Sequence, residues 1–292
     1  MRLVLLRHLR KHWVGYLLLT PAMCFVFFVS FYPIMYAIDW SLYSTRYLQR
    51  LSFVGVGNYS EFFRSPRGVH ALLTTFIYCF GSLAISMPLS MGVASLLDRP
   101  IKGRAIFRTM ILIPWVLSQT VVALLWKWLL DPYYGPVNYI LQSLGIGKVG
   151  FLSSPSLALP TLILINVWMS YPLGVVLILA ALQTVPGELI DAAKIDGAST
   201  WLVYRHVKWV YIKHTVLVVL ILQTLLYFNM VTLIYVSTGG GPLGATETVS
   251  VHLFKSAFEN WRIGYASSIG VIMLAFNLLF SLLYVRALRE ES

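Results

Sequence analysis

Eleven carboxylates, six histidines and two cysteines are the chain's whole stock of acid–base, metal-ligating and thiol groups, and none is spaced for catalysis. No His-Glu-x-x-His, Cys-x-x-Cys or Gly-x-Ser-x-Gly occurs, so neither a metal centre nor an activated nucleophile is indicated. A phosphate loop of the form G-x-x-x-x-G-K-[ST] is also missing: Gly145-Ile146-Gly147-Lys148 lacks both the upstream Gly and the following Ser or Thr. Cys24 and Cys79 lie in apolar runs and read as small apolar residues. One stretch concentrates the scarce acids. Across residues 184–209, Pro186 and Glu188 suit a helix's first turn, Asp191 follows one turn on, and Asp196-Gly197 ends that helix with a left-handed cap. Ser199 can cap a second helix. Two short helices at an angle make a stiff projection, though the same residues also suit an ordinary capped connector.

The elements that position these residues are set by composition. Hydrophobic residues make up 58% of the 292 and charged residues only 11%, too few to cover a soluble surface. Mean hydropathy is +0.76. Crossing a bilayer takes about 20 apolar helical residues, and six stretches qualify: 15–38, 70–97, 105–130, 157–183, 210–237 and 264–287. Every Asp and Glu falls outside them or at their edges. The runs are too long, and too little alternating, for barrel strands. The first run extends well past a usual signal-peptide core and no small-x-small site follows, so it reads as an uncleaved span.

Six spans place both termini on one side. Of the 22 basic residues, 14 fall in the terminal segments and the inner loops and 8 in the opposite set, which predicts cytoplasmic termini, with 1–14 a cytoplasmic segment and 15–292 the transmembrane domain. The formal net charge of +11 is thereby a topological marker, and a nucleic-acid partner recedes because the charges gather on no single surface. The predicted fold is an all-α integral membrane protein of six transmembrane helices, with the acidic loop between helices 4 and 5.

The spans hold no central acid, which an ion-coupled secondary transporter, the competing reading, would need for its driving ion; an inverted repeat is also missing. Lys127, between Trp126 and Trp128, reads as an interfacial residue. Polar residues at span depth are candidates for holding a hydroxylated solute, and equally for bonding neighbouring helices. Asn166, Met169, Ser170 and Leu173 share a face of span 4 by i, i+3, i+4, i+7 spacing, beside Pro172. Tyr227 and Met230 share a face of span 5, with Asn229 nearby.

The stretch Asp191-Ala192-Ala193-Lys194-Ile195-Asp196-Gly197-Ala198 resembles the Glu-Ala-Ala…Gly loop signature of ABC importer permeases. Similarity to the carbohydrate branch, typified by maltose and glycerol-3-phosphate importers, extends over nearly the whole chain. It is carried by Phe53-Val54-Gly55-Val56-Gly57-Asn58-Tyr59, Trp128 through Asn138, Asn166 through Pro172, and Thr238-Gly239-Gly240-Gly241-Pro242. Two positions depart from the pattern: Asp191 stands for the usual Glu, and Trp209-Val210 for the usual Leu-Pro. The resemblance implies a multi-pass permease of the bacterial cytoplasmic (inner) membrane that imports a sugar or related polyol by alternating access. Glu188 aside, whose role rests on its place in the loop, it makes Asp191, Ala192, Ala193, Asp196, Gly197 and Ala198 the element coupling to the ATPase. It places Asn166, Met169, Ser170, Leu173, Tyr227, Asn229 and Met230 at the solute pocket. It also implies a second homologous permease, two ATPase subunits that carry the ATP and Mg, none being held in this chain, and an extracytoplasmic solute-binding protein. The chain itself is then no enzyme.

Overall fold

The computed structural model describes residues 14–15, 17–100 and 102–290, except for the side chains of 288–290. All but Val14 of the N-terminal segment 1–14 lies outside the described residues, and so do Arg2, Arg7, Arg10, Lys11 and the Arg289 side chain from the basic count. The chain runs through α1 (Leu17–Ser41), strands β1 (Tyr43–Arg46) and β2 (Gln49–Phe53), α2 (Gly57–Arg64), α3 (Pro66–Asp98), α4 (Arg104–Val116), α5 (Gln119–Leu129) and α6 (Pro136–Ser143). It continues through α7 (Pro155–Leu182), α8 (Gly187–Ile195), α9 (Thr200–Phe228), α10 (Thr232–Thr238), α11 (Val249–Phe254) and α12 (Ile263–Glu290). Five of the described helices, α1, α3, α7, α9 and α12, are long and apolar enough to cross a membrane, and α4 with α5 would make a sixth, broken span.

Three expectations are corrected. The stretch 105–130 is not one straight helix: α4 and α5 meet at 94°. Pro114 in the last turn of α4 has no N–H for the carbonyl one turn back, and Leu117 and Ser118 are extended. The stretch 210–237 is also divided. Helix α9 begins ten residues earlier, at Thr200, so the loop read as 184–209 already contains its first turns, and it ends at Phe228. There the Leu225 carbonyl accepts both the Asn229 N–H at 3.3 Å and Asn229 Nδ2 at 2.7 Å, and Ser250 Oγ donates to the Met230 carbonyl at 2.6 Å, so side chains serve carbonyls at the helix end. The outer loop 39–69 is the third. It reads in sequence only as a loop, and it contains an antiparallel hairpin, pairing Tyr43 with Phe53 and Arg46 with Gln49, within an otherwise helical membrane protein. Aromatic and β-branched residues favour it, with the Tyr43 and Phe53 rings 5.4 Å apart.

Of the described residues, those up to Phe62 form one compact unit with Ser256–Ile272, while Phe63–Lys255 and those from Met273 form the other. In the first, Asn58 Nδ2 donates to the carbonyls of Ser41 and Tyr43 at 2.8 and 3.0 Å, and Gly264 N–H donates to Thr45 Oγ1 at 2.7 Å. Arg262 forms a two-pronged pair with Glu61 at 2.8 and 2.6 Å. Helix α1 itself buries none of the side chains in its apolar window, as a helix facing lipid does.

The second unit is built on α3, α7 and α9. Met87, Ala94 and Leu97 of α3 meet Val175, Ile178 and Leu182 of α7 and Ile212, Val216 and Val219 of α9. Lipid tails are as apolar as these side chains, so close packing rather than water exclusion must hold the helices together. Gly174 permits a close approach: a Cβ there would lie 2.6 Å from Ser90 Oγ and 3.4 Å from Gln223 Nε2.

Candidate functional site

The acidic loop is a capped helix that buries nothing. Pro186 precedes the first turn of α8, Glu188 lies in that turn, and Gly197 closes the far end at φ +78°, a conformation only glycine adopts without strain. The Ala198 N–H returns to the Ala193 carbonyl at 2.9 Å and the Gly197 N–H to Lys194 at 3.0 Å, so the last carbonyls are satisfied. Ser199 Oγ then accepts the Leu202 N–H at 3.4 Å to start α9. No residue of α8 is buried: Glu188, Asp191, Ala192 and Asp196 are exposed, and Ala193 and Ala198 half-buried. Asp191 pairs with Lys194 at 2.9 Å, an exposed contact contributing about 0.3–0.5 kcal/mol. Ile195 is 87% exposed and Trp201 65%. A nine-residue helix in water would be marginal by itself, so this one is preorganised by its caps and presents an acidic and apolar surface.

Behind α8 lies a cavity of 560 Å³ lined by Asp98, Arg99, Ile190, Lys194, Tyr204 and Lys208 among others. Lys208 Nζ reaches Asp98 Oδ2 at 2.5 Å, with both side chains mostly buried, and so ties the start of α9 to the end of α3. Sequence reasoning missed this pair; its only sequence signal is one charge of each sign at the edge of a span.

The polar residues of spans 4 and 5 divide into two groups. Ser170 Oγ donates to the Asn166 carbonyl and lies against Tyr227 Oη, both at 2.6 Å; Tyr227 Oη reaches Ser86 Oγ at 3.3 Å, and Ser86 donates to Gln223 Oε1 at 3.1 Å. Ser86, Asn166, Tyr227 and Gln223 are all buried. Both amide atoms of Asn166, and Gln223 Nε2, have no partner among the described residues. An unsatisfied buried amide costs about 1–3 kcal/mol, so these are groups in want of a hydrogen-bond partner. Met169 and Met230 are buried close by in sequence, and Leu173 is half-buried. Asn229 stands apart: it is exposed and exchanges amide bonds with Asn277 at 3.3 and 3.2 Å. The structure joins Asn166 and Ser170 of α7 to Tyr227 of α9, a contact between helices that spacing within one span does not give, and pairs Asn229 with Asn277 instead.

A third cluster was not foreseen. Glu247 receives both forks of Arg67 at 2.8 Å and His252 Nδ1 at 2.7 Å, with Lys255 Nζ at 4.0 Å. Its side chain is 5% exposed. Burial alone would raise its pKa, but the hydrogen bonds and charges of His252 and Arg67 prevail and hold it at about 2. Glu247, Arg67 and Lys255 line a 530 Å³ cleft with His70, Leu243 and the run Gly239–Gly241. Arg67 lies 180 positions from Glu247, and only the His252 spacing of five hints at the cluster in sequence.

Comparison with known proteins covers almost the entire chain. The family described as "Binding-protein-dependent transport system inner membrane component" matches residues 63–289. The trehalose/maltose transport system permease protein MalF of Thermococcus litoralis is 30% identical over 278 residues, covering 95% of this chain and 94% of that one. The sulfoquinovosyl glycerol transport system permease protein SmoG of Agrobacterium fabrum is 28% identical over 277 residues, covering 94% and 90%. Among solved structures, a chain of a bacterial ABC transporter that imports the acidic polysaccharide alginate superposes with a TM-score of 0.86 at 21% identity, over 98% of each chain.

Proposed function

Because the chain belongs to the family of binding-protein-dependent transport system inner membrane components, and so is a permease subunit of an ABC importer rather than an enzyme, we propose that its cargo is a sugar or related polyol. The observation that carries this is the end-to-end match to a permease named for trehalose and maltose. The chain pairs with a second homologous permease and two ATPase subunits, which hold the ATP and Mg, and takes its solute from an extracytoplasmic binding protein. Both termini and α8 face the cytoplasm, as the basic bias indicates. Closure of the ATPase pair moves α8 and, through the stiff connection at Gly197–Ser199, the helix α9 that crosses the bilayer.

The solute is met by the polar group on α7 and α9. Asn166, Ser170 and Tyr227 supply hydroxyl and amide partners, the unspent Asn166 amide being suited to a sugar hydroxyl. Met169, Leu173 and Met230 offer apolar surface for ring faces, and Asn229 lies on the exposed side. The turn Gly239–Pro242 beside the Glu247 cleft faces the binding protein, and so, taken by itself, does the loop 39–69.

Reconstitution of the chain with its ATPase, second permease and binding protein in proteoliposomes tests the reading. Uptake of the sugar should require ATP and survive collapse of all ion gradients. Uptake driven by an ion gradient in the absence of the ATPase would restore the secondary-transporter reading. Asn166→Ala and Tyr227→Ala should each weaken uptake, and a pair of variants with unchanged affinity and rate would move the pocket to the second permease.

A further inference from the structure

A groove of 240 Å³ opens between α3, α4 and α7. Its walls are Leu97, Ile111, Leu112, Val176 and Leu179, and its only polar lining comes from Arg108 and Gln183. Both lie at one end: from Val176 to Gln183 the groove follows α7 for roughly 10 Å. Arg104 and Arg108 stand one helical turn apart on α4, and their Nη2 atoms converge on the Gln183 amide oxygen at 2.7 and 2.5 Å. That orientation of the amide follows from its surroundings, since the reverse would aim an NH₂ at two donors.

The charge arrangement is incomplete. Two guanidinium groups one turn apart repel each other, and a neutral amide oxygen does not balance two positive charges. Among the described residues no carboxylate pairs with either arginine, and the nearby Asp98 is held by Lys208. Both Nε atoms are buried and have no partner among the described residues. Next to the groove, Ile106, Met110 and Ile113 form an apolar stripe along α4, each more than half exposed, as a surface facing lipid tails is.

We propose that this groove binds an anionic phospholipid, with the headgroup phosphate on Arg104 and Arg108 and part of one acyl chain along Leu97, Ile111, Val176 and Leu179. Arginine binds phosphate through charge-assisted N–H donors, and each guanidinium here keeps Nη donors beyond the one Nη2 contact to Gln183. Basic pockets between transmembrane helices on the cytoplasmic side suit acidic headgroups, and the inner-loop position of Arg104 and Arg108 puts them on that side by charge bias. The volume suits a segment of one chain and excludes a whole lipid. The proposal rests on the membrane placement of α3, α4 and α7 and does not depend on which solute is carried.

The test is native mass spectrometry of the full chain, purified with its co-purifying subunits and presented with vesicle-derived phosphatidylglycerol and phosphatidylcholine. The wild type should retain phosphatidylglycerol over phosphatidylcholine by about tenfold or more. Arg104→Gln with Arg108→Gln should remove the preference, Arg104→Lys with Arg108→Lys should keep most of it, and Val176→Trp should lower retention with both arginines in place. Equal retention of the two lipids by the wild type would overturn the proposal. So would displacement of the lipid by inorganic phosphate, which would make the site one for a free anion. Release of a protein subunit rather than lipid by the Gln variant would mark this face as a subunit interface instead. The Lys pair and Val176→Trp decide the matter even where the Gln variant does not fold.

Discussion

The acids of α8 and the acid at the outer cleft are used in opposite ways. Glu188, Asp191 and Asp196 are exposed, and the one ion pair among them, Asp191 with Lys194, lies on the surface. Glu247 is almost fully buried, with Arg67 and His252 on its two oxygens. A buried carboxylate whose oxygens are taken can organise its own loop. An exposed one on a helix that buries nothing remains available to another subunit. Under the proposed function the first kind would meet the ATPase and the second would hold its own loop in shape, a distinction that cannot be read from the residue type.

The largest effect expected from breaking this contrast is at Gly197. Gly197→Trp would strain a φ of +78° and add bulk beside the exposed face of α8. The chain should still insert and assemble, while substrate-stimulated ATP hydrolysis in the reconstituted complex falls about tenfold or more; normal stimulation would remove α8 from the coupling role. Glu247→Ala comes next, with an expected loss of about 1–3 kcal/mol of stability because the buried His252 loses its carboxylate while the Arg67 side chain, 56% exposed, can turn to water. A thermal-unfolding midpoint unchanged from wild type would contradict that.

Acid titration sharpens the same point. Glu247 has its carboxyl held near 2 against an ordinary 4.5, so its contribution is full above the unfolded value and is lost as pH falls from about 4.5 towards 2. Detergent-solubilised protein should therefore lose stability across that window, and Glu247→Gln, already weakened, should lose less. The smallest effect is expected at Lys194→Ala, which opens the exposed pair with Asp191 and should cost no more than about 0.5 kcal/mol. A larger loss, measured by unfolding, would mean that α8 is held by its charges and not by its caps.

Much of the candidate site was legible because its signals are local. Gly197, Ser199 and the acids around them declare a capped helix within a dozen residues, and the i, i+3, i+4 spacing in α7 put Asn166 and Ser170 on one face before Tyr227 was known to meet them. The breaks in the third and fifth spans were not legible. The polar interruptions there are brief, Ser118-Gln119-Thr120 and the single Asn229, with apolar residues resuming at once, and prolines are ambiguous markers: Pro88 and Pro172 lie in unbroken helices, whereas Pro114 precedes a 94° bend. What differs is support. Pro114 and Pro172 are both buried, but beside Pro172 Ser90 Oγ donates to the Tyr171 carbonyl at 2.9 Å. Beyond Pro114, Val116 is 75% exposed. The hairpin was hidden for a similar reason, since its pairing depends on a turn and on aromatic contacts that no single-residue tendency reveals.

By itself, then, the sequence determined that the chain lives in a membrane, which loop carries the acids and how that loop is capped, because apolar length and helix caps are properties of consecutive residues. Only the tertiary structure decided which polar groups meet: Arg67 with Glu247, Asp98 with Lys208, Ser170 with Tyr227, and two arginines at the end of a groove with no acid to balance them. Each of these meetings is settled by the elements that pack around it, and packing is a property of residues far apart in the chain.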